Sequence, residues 1–207
     1  IRDRNTLTDL ADAGNRLCQK YGWPTHERQA YRYLVGNGIP KLVERLAPAD
    51  QRTPAVLEAA LADFKRDYGQ HLRDTTAPYP GIPEMLAKLK ANGVQLAVFS
   101  NKADALAKEV VKDYFGTQYF TIVRGQMTGV APKPAAEGTN ALLQALHADP
   151  ASTLYVGDSN VDVETAHNAN LPCCGAVWGF RTREELNAAG AEYLAENSDE
   201  LYDVIMK

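Results

Sequence analysis

From Gly81 to the C-terminus, short apolar runs alternate with segments whose apolar residues recur at helical spacing. The runs are Val94 to Phe99, Tyr119 to Val123, Leu154 to Val156, Cys173 to Val177 and Tyr193-Leu194, and their lengths and flanking turn residues read as strands. Helical patterns lie around them: Met85, Leu86 and Leu89 up to Asn92-Gly93, Ala103 to Tyr114, Gly138 to Leu146, the stretch through Ala169, Arg183 to Ala189, and Leu201 to Ile205. Strands separated by helices do not form tight hairpins. They pair in parallel, with helices covering both faces of the sheet. The fold class is therefore α/β.

Upstream of Gly81 the pattern is helical alone. Leu7, Leu10, Ala13, Leu17 and Cys18 lie on one face of a helix that starts at Thr6 or Thr8 and stops at Gly22. Pro24 to Glu27 opens a second helix, Gly36-Asn37-Gly38 breaks it, and Ile39 to Leu46 and Pro54 to Tyr68 supply two more. The cluster Thr75-Thr76-Ala77-Pro78-Tyr79-Pro80-Gly81 then makes a stiff, extended connector. This divides the chain into an α/β core, residues 1–11 and 79–207, and an inserted α-helical domain, residues 12–78. No internal repeat or low-complexity segment interrupts either part.

At 207 residues the chain buries a core without disulfide or metal staples. Its formal charge of −4 supplies no basic field for nucleic acid, and no apolar run approaches a membrane span or a signal peptide. A cytoplasmic protein is expected, with no nucleic-acid or membrane partner. The three cysteines are an odd number, and Cys173 and Cys174 are neighbours in a strand, so their side chains point to opposite faces. All three are expected to be buried free thiols.

Three loops at strand ends carry polar residues, and the carboxyl ends of parallel strands are where ligands bind in such sheets. In Leu154-Tyr155-Val156-Gly157-Asp158-Ser159-Asn160-Val161-Asp162, a strand stops at Gly-Asp and a second aspartate follows four residues later. Two carboxylates on one loop suit a hard cation that keeps several waters, Mg²⁺ rather than zinc. Alternatively, Asp158 caps the next helix and Asp162 is a solvated first-turn acid. Ser100-Asn101-Lys102 offers a hydroxyl and backbone N–H groups to phosphate oxygens, or Ser100 simply caps a helix. Lys133, flanked by Pro132 and Pro134, sits on a stiffened loop that would deliver its ammonium to a fixed point. A lysine so placed is not expected to be a core element.

Taken together, these segments resemble the haloacid dehalogenase superfamily of phosphohydrolases, in particular its phosphoglycolate-phosphatase-like members with a helical cap. The resemblance covers Val35-Gly36-Asn37-Gly38, Tyr79-Pro80-Gly81, Val98-Phe99-Ser100-Asn101-Lys102, Gly129 to Pro134 and Val156 to Asp162, in order and at matching spacing. It implies a Rossmann-like parallel core with an inserted cap. By the resemblance, Ser100 with the Asn101 backbone binds the transferring phosphoryl group. Lys133 neutralises its charge and that of the nucleophile. Asp158 ligates Mg²⁺, and Asp162 binds the metal's waters or orients Lys133.

One departure stands out. The family's apolar first strand ends in Asp-x-Asp-Gly-Thr, which supplies the nucleophile and the acid/base, and no such sequence occurs here. Residues 1 to 5 correspond to the tail of that motif, so an incomplete N-terminus is the simplest explanation, and the 207 residues alone are expected to be inactive.

The implied function is a Mg²⁺-dependent phosphatase acting on a small phosphorylated metabolite, phosphoglycolate first, through an aspartyl-phosphate. The alternatives are a non-catalytic binding or regulatory member of the fold and a sugar-phosphate mutase. A dinucleotide-binding oxidoreductase on a similar sheet lacks support, because no Gly-x-Gly-x-x-Gly turn follows any strand. Arg32, Asn37 and Lys41 are candidates for substrate specificity. Oligomeric state is not encoded in any pattern of the sequence.

Overall fold

A computed structural model of the chain describes residues 6–35, 38–71 and 77–207. Its contacts group into two units, Ile1–Arg2 with Pro78–Lys207, and Asp3–Ala77. The second unit therefore takes in the whole of the first helix, including residues 6–11, which the sequence pattern grouped with the α/β part.

In the helical unit, α1 (Thr6–Tyr21) buries Leu10, Ala13, Leu17 and Cys18, the stripe that its spacing requires. On the same helix, Asn15 governs the conformation of the chain beyond Gly22. Its side chain bonds both backbone groups of His26, accepting from the N–H and donating to the carbonyl, each at 3.0 Å. Those groups are then unavailable to a helix, so Pro24 to Glu27 stays irregular. Helical turns begin only at Arg28–Ala30 and α2 (Tyr31–Leu34). Next come α3 (Ile39–Leu46) and α4 (Pro54–Gln70). The Thr53 hydroxyl caps α4 by accepting from the Val56 N–H at 3.4 Å, and Ala60, Phe64 and Tyr68 recur every four residues on its buried face. Arg16 grips Asp67 through Nε and Nη2, tying α1 to α4.

The α/β unit opens with α5 (Ile82–Ala91), then β1 (Ala97–Ala103), α6 (Asp104–Phe115) and β2 (Ile122–Gln126). β1 starts three residues later than its apolar run. The Val94 N–H bonds back to the Leu89 carbonyl at 3.0 Å, so the chain is still leaving the helix where the run begins. It also extends past Phe99, so Ser100, Asn101 and Lys102 lie within the strand rather than in a loop beyond it. After α7 (Glu137–Leu146) come β3 (Tyr155–Gly157), α8 (Asn160–Asn168), β4 (Cys173–Ala176), α9 (Arg183–Ala188), β5 (Tyr193–Ala195) and α10 (Ser198–Ile205).

All pairings are parallel, as the alternation requires. They form two sheets rather than one among the described residues: β1 with β2, and β3, β4 and β5 in that order. Ile82, Met85, Leu86 and Leu89 of α5 and Leu201 of α10 cluster with Phe115 and Cys174 on one face. Burying a leucine this fully contributes roughly 1.5–3 kcal/mol. Leu96 and Phe120, just ahead of β1 and β2, and Val156 of β3 pack against the same cluster. On the opposite face Val163 and Ala166 of α8 and Leu186 of α9 enclose Cys173. The two adjacent cysteines thus point apart, and all three thiols are free and buried. No helix among the described residues is long and apolar enough to cross a membrane.

Candidate active site

The lysine loop is anchored from β1. The Asn101 side-chain oxygen accepts from the Lys133 N–H at 2.8 Å, and its amide donates to the Lys133 carbonyl at 3.2 Å. A second clamp comes from the end of α8, where the Asn168 amide donates to the Pro134 carbonyl at 2.9 Å. With its backbone held on both sides, Lys133 directs its ammonium to Asp162, Nζ to Oδ1 2.6 Å, and passes 5.9 Å from the Phe99 ring centroid. The two side chains are only 12% and 9% exposed. Lys133 is therefore mostly withdrawn from solvent in an ion pair, without being part of the core.

Asp162 accepts from three donors. Besides Lys133 on Oδ1, its Oδ2 accepts from the Ser159 hydroxyl at 2.6 Å and from the Asp158 N–H at 3.2 Å. This carboxylate sits in the first turn of α8, where the helix dipole also favours negative charge. It is buried rather than solvated. The N-cap of α8 is Ser159, not Asp158, and no side chain caps it there. Asp158 itself is buried, and its carbonyl accepts from the Arg181 N–H at 3.1 Å. Two glycines allow the loop to close this tightly. A Cβ on Gly157 would lie 2.1 Å from Asp162 Cβ, and one on Gly179 would lie 2.2 Å from Asp158 Cβ. Neither position has room for any side chain.

Ser100 does not cap α6, whose N-cap is Ala103. Its Oγ instead accepts from the Lys102 N–H at 3.1 Å, a contact that leaves the hydroxyl hydrogen to donate elsewhere. Burial pushes the Tyr155 hydroxyl up to about 12; the Asp162 carboxylate adds to that shift and Lys133 opposes it. Tyr155 is therefore a neutral hydroxyl beside the pair. Residue types and spacing did not single out Asn168 or the Asn101 side chain, whose partners are 32 or more residues away, nor Tyr155 and Gly179. Of the specificity candidates, Arg32 is half-buried on α2. Lys41 is exposed on α3 and paired with Glu44 at 2.7 Å, and Asn37 lies outside the described residues.

The donor chemistry fits a loosely caged hard cation. Among the described residues no three His, Cys, Asp or Glu side chains converge to form a full protein cage. Mg²⁺ does not require one, since it keeps several waters and takes one or two carboxylates. Asp158 suits that part. Asp162, with both oxygens engaged by donors, is better matched to holding Lys133.

Parallel strands thus lead to one edge that carries a lysine–aspartate pair and a second carboxylate, the layout of an α/β enzyme core. The model of the haloacid dehalogenase-like hydrolases matches residues 4–176, and the chain belongs to that family. It is 28% identical to a phosphoglycolate phosphatase of Chromobacterium violaceum over 204 residues, covering 97% of this chain and 90% of the relative. It is 30% identical to a phosphoglycolate phosphatase of Neisseria meningitidis over 179 residues, covering 85% and 76%. Among solved structures, a phosphoglycolate phosphatase candidate from Lactobacillus delbrueckii subsp. bulgaricus superposes with a TM-score of 0.91 at 26% identity, covering 97% of this chain and 92% of that one. The protein is a phosphoric monoester hydrolase with the Rossmann-like α/β core of this family.

Proposed function

We propose that the protein hydrolyses phosphoglycolate or a closely similar small phosphomonoester, with Mg²⁺ and through an aspartyl-phosphate. The observation that carries this reading is the buried Lys133–Asp162 pair, 2.6 Å apart, with the lysine backbone fixed by Asn101. A cation held rigidly in a dry setting stabilises charge on a transferring phosphoryl group without reorganising during the reaction.

In this reading Ser100 donates its hydroxyl hydrogen to a phosphoryl oxygen, and Lys133 places its charge against the same group. Asp162 keeps the ammonium aimed, and Asn101 and Asn168 keep the loop from drifting. Asp158 would hold Mg²⁺, which when bound supplies charge neutralisation and a template for the phosphate oxygens. An aspartate oxygen attacks phosphorus, the P–O ester bond breaks, and the leaving oxygen takes a proton. Water then attacks the phosphorus of the acyl phosphate, which releases inorganic phosphate and restores the carboxylate. The family resemblance supports these two steps, and residues 1–207 contain no Asp-x-Asp pair to which they can be assigned. The helical unit, in the same reading, is the cap that selects substrate. A cytoplasmic location goes with a substrate of the small phosphorylated metabolite class.

The test is to assay the native protein on phosphoglycolate and a panel of phosphomonoesters, with Mg²⁺ and after chelation. Turnover near or above about 1 s⁻¹ on phosphoglycolate, lost on chelation, is expected. Better turnover of a larger sugar phosphate would reject the substrate, and activity that survives chelation would reject the metal.

A further inference from the structure

β3, β4 and β5 are parallel, so their carboxyl ends lie on one edge, and Asp158 follows β3 on that edge. The chain enters the α/β unit at Pro78, and its first residues settle on the same edge. The Tyr79 ring meets the ring of Trp178, two residues past β4, with centroids 6.4 Å apart and planes at 71°. Gly81, the N-cap of α5, lies against Ser198, which follows β5; a Cβ on the glycine would be 2.2 Å from the serine Oγ. Tyr79-Pro80-Gly81 is thus seated on the turns that continue the two strands beside the one leading to Asp158.

The turn after β4 is pressed against Asp158. Gly179, next to Trp178, is buried and has no clearance, since a Cβ on it would lie 2.2 Å from Asp158 Cβ. The Arg181 N–H donates to the Asp158 carbonyl at 3.1 Å, the Gly179 N–H to the Ala176 carbonyl at 3.2 Å, and the Val177 N–H to the Ala195 carbonyl at 3.0 Å. A turn pinned at three points moves as a unit. Trp178 is the side chain that ties it to the cluster around Ile82 and Leu86, where Tyr79 also packs. Any shift of the indole therefore carries Gly179 with it, and in a close-packed setting Asp158 must follow. Both rings are only half-buried, so their contact can open without unpacking the core.

We propose that Trp178 is a positioning residue for Asp158, acting through Gly179, and that Tyr79 sets its place, so that Mg²⁺ affinity is coupled to the seating of Tyr79-Pro80-Gly81. The inference rests on the reading of Asp158 as the Mg²⁺ carboxylate. Coupling of this kind is reciprocal. If a seated Tyr79 favours the metal, bound metal favours the seated Tyr79 by the same factor.

The experiment titrates Mg²⁺ into the protein and follows binding by calorimetry. Trp178 emission is read in a Trp23→Phe background, since the chain has two tryptophans. Amide exchange is measured over residues 79–85, where the Ile82 and Met85 N–H groups bond the Tyr79 and Gly81 carbonyls. Mg²⁺ should change the Trp178 emission and slow that exchange several-fold. Tyr79→Leu should raise the Mg²⁺ concentration for half-saturation about fivefold, and Tyr79→Phe, which keeps the ring, should restore it. Phe120→Leu is the control, because it breaks the Phe115–Phe120 ring pair of the same cluster, centroids 5.9 Å apart. It should lower the urea midpoint and leave the Mg²⁺ requirement at the parent's value. Equal shifts in Tyr79→Leu and Phe120→Leu would make the Tyr79–Trp178 pair ordinary packing and overturn the proposal alone. So would calorimetric binding of Mg²⁺ that leaves Trp178 emission and exchange unchanged. Exchange in the parent decides the matter if Tyr79→Leu does not fold. A parent that shows no Mg²⁺ binding by calorimetry would overturn the metal reading, and this inference with it.

Discussion

Asn101 and Lys133 form a two-point clamp, the asparagine side chain accepting from the lysine N–H at 2.8 Å and donating to the lysine carbonyl at 3.2 Å. The pairing copies the geometry of two strand residues exchanging bonds, and it fixes a loop 32 residues away in sequence. Asn101→Asp keeps the acceptor and replaces the donor with a charged oxygen facing the carbonyl. In the native protein, inhibition by vanadate should weaken about tenfold, the equivalent of one lost hydrogen bond. Vanadate inhibition equal to the parent's would show that the clamp does not position the lysine.

Lys133→Met should destabilise the fold as well as weaken phosphate binding. Removing the ammonium leaves the Asp162 carboxylate buried with only neutral donors, a change that typically costs about 3–5 kcal/mol. The double variant Lys133→Met/Asp162→Asn removes the stranded charge and should recover part of the loss. Urea unfolding of the parent, both single variants and the double variant measures the coupling. Additive effects would mean that the pair is not coupled in solution.

Asp158→Asn should abolish Mg²⁺-dependent turnover by orders of magnitude while circular dichroism stays unchanged, because the charge is lost and the shape kept. Gly179→Ala offers a separate route to the same site, since its methyl group would lie 2.2 Å from Asp158 Cβ and must displace that side chain. Its Mg²⁺ requirement should rise at least several-fold. A G179A enzyme with the parent's metal dependence would place Asp158 outside the metal site.

The thiols should be inert at neutral pH. Burial pushes Cys18 and Cys174 up to about 11 and raises Cys173 further still. A thiol with a pKa of about 11 is only about one-thousandth thiolate at pH 8. Iodoacetamide at pH 8 should therefore label all three only at the rate of unfolding, with urea accelerating the reaction. Rapid labelling of the folded protein would contradict their burial.

Periodicity and turn chemistry by themselves determined the parallel α/β class, the helical block before Gly81 and the opposed faces of Cys173 and Cys174. These are local properties, set by whether apolar residues recur every second position or every third and fourth. The polar loops also singled out Ser100, Lys133, Asp158 and Asp162, although Ser100 lies inside β1 and Asp162 in the first turn of α8. What their side chains do there was decided by tertiary structure. Only the fold showed that Lys133 pairs with Asp162, that Asp162 accepts three donors, and that Asn101 works through its side chain. Only the fold showed the pairing among the described residues, β1 with β2, and β3 with β4 and β5. Hydrogen-bond partners and burial depend on residues tens of positions apart, and no pattern within a window of sequence records which distant groups meet.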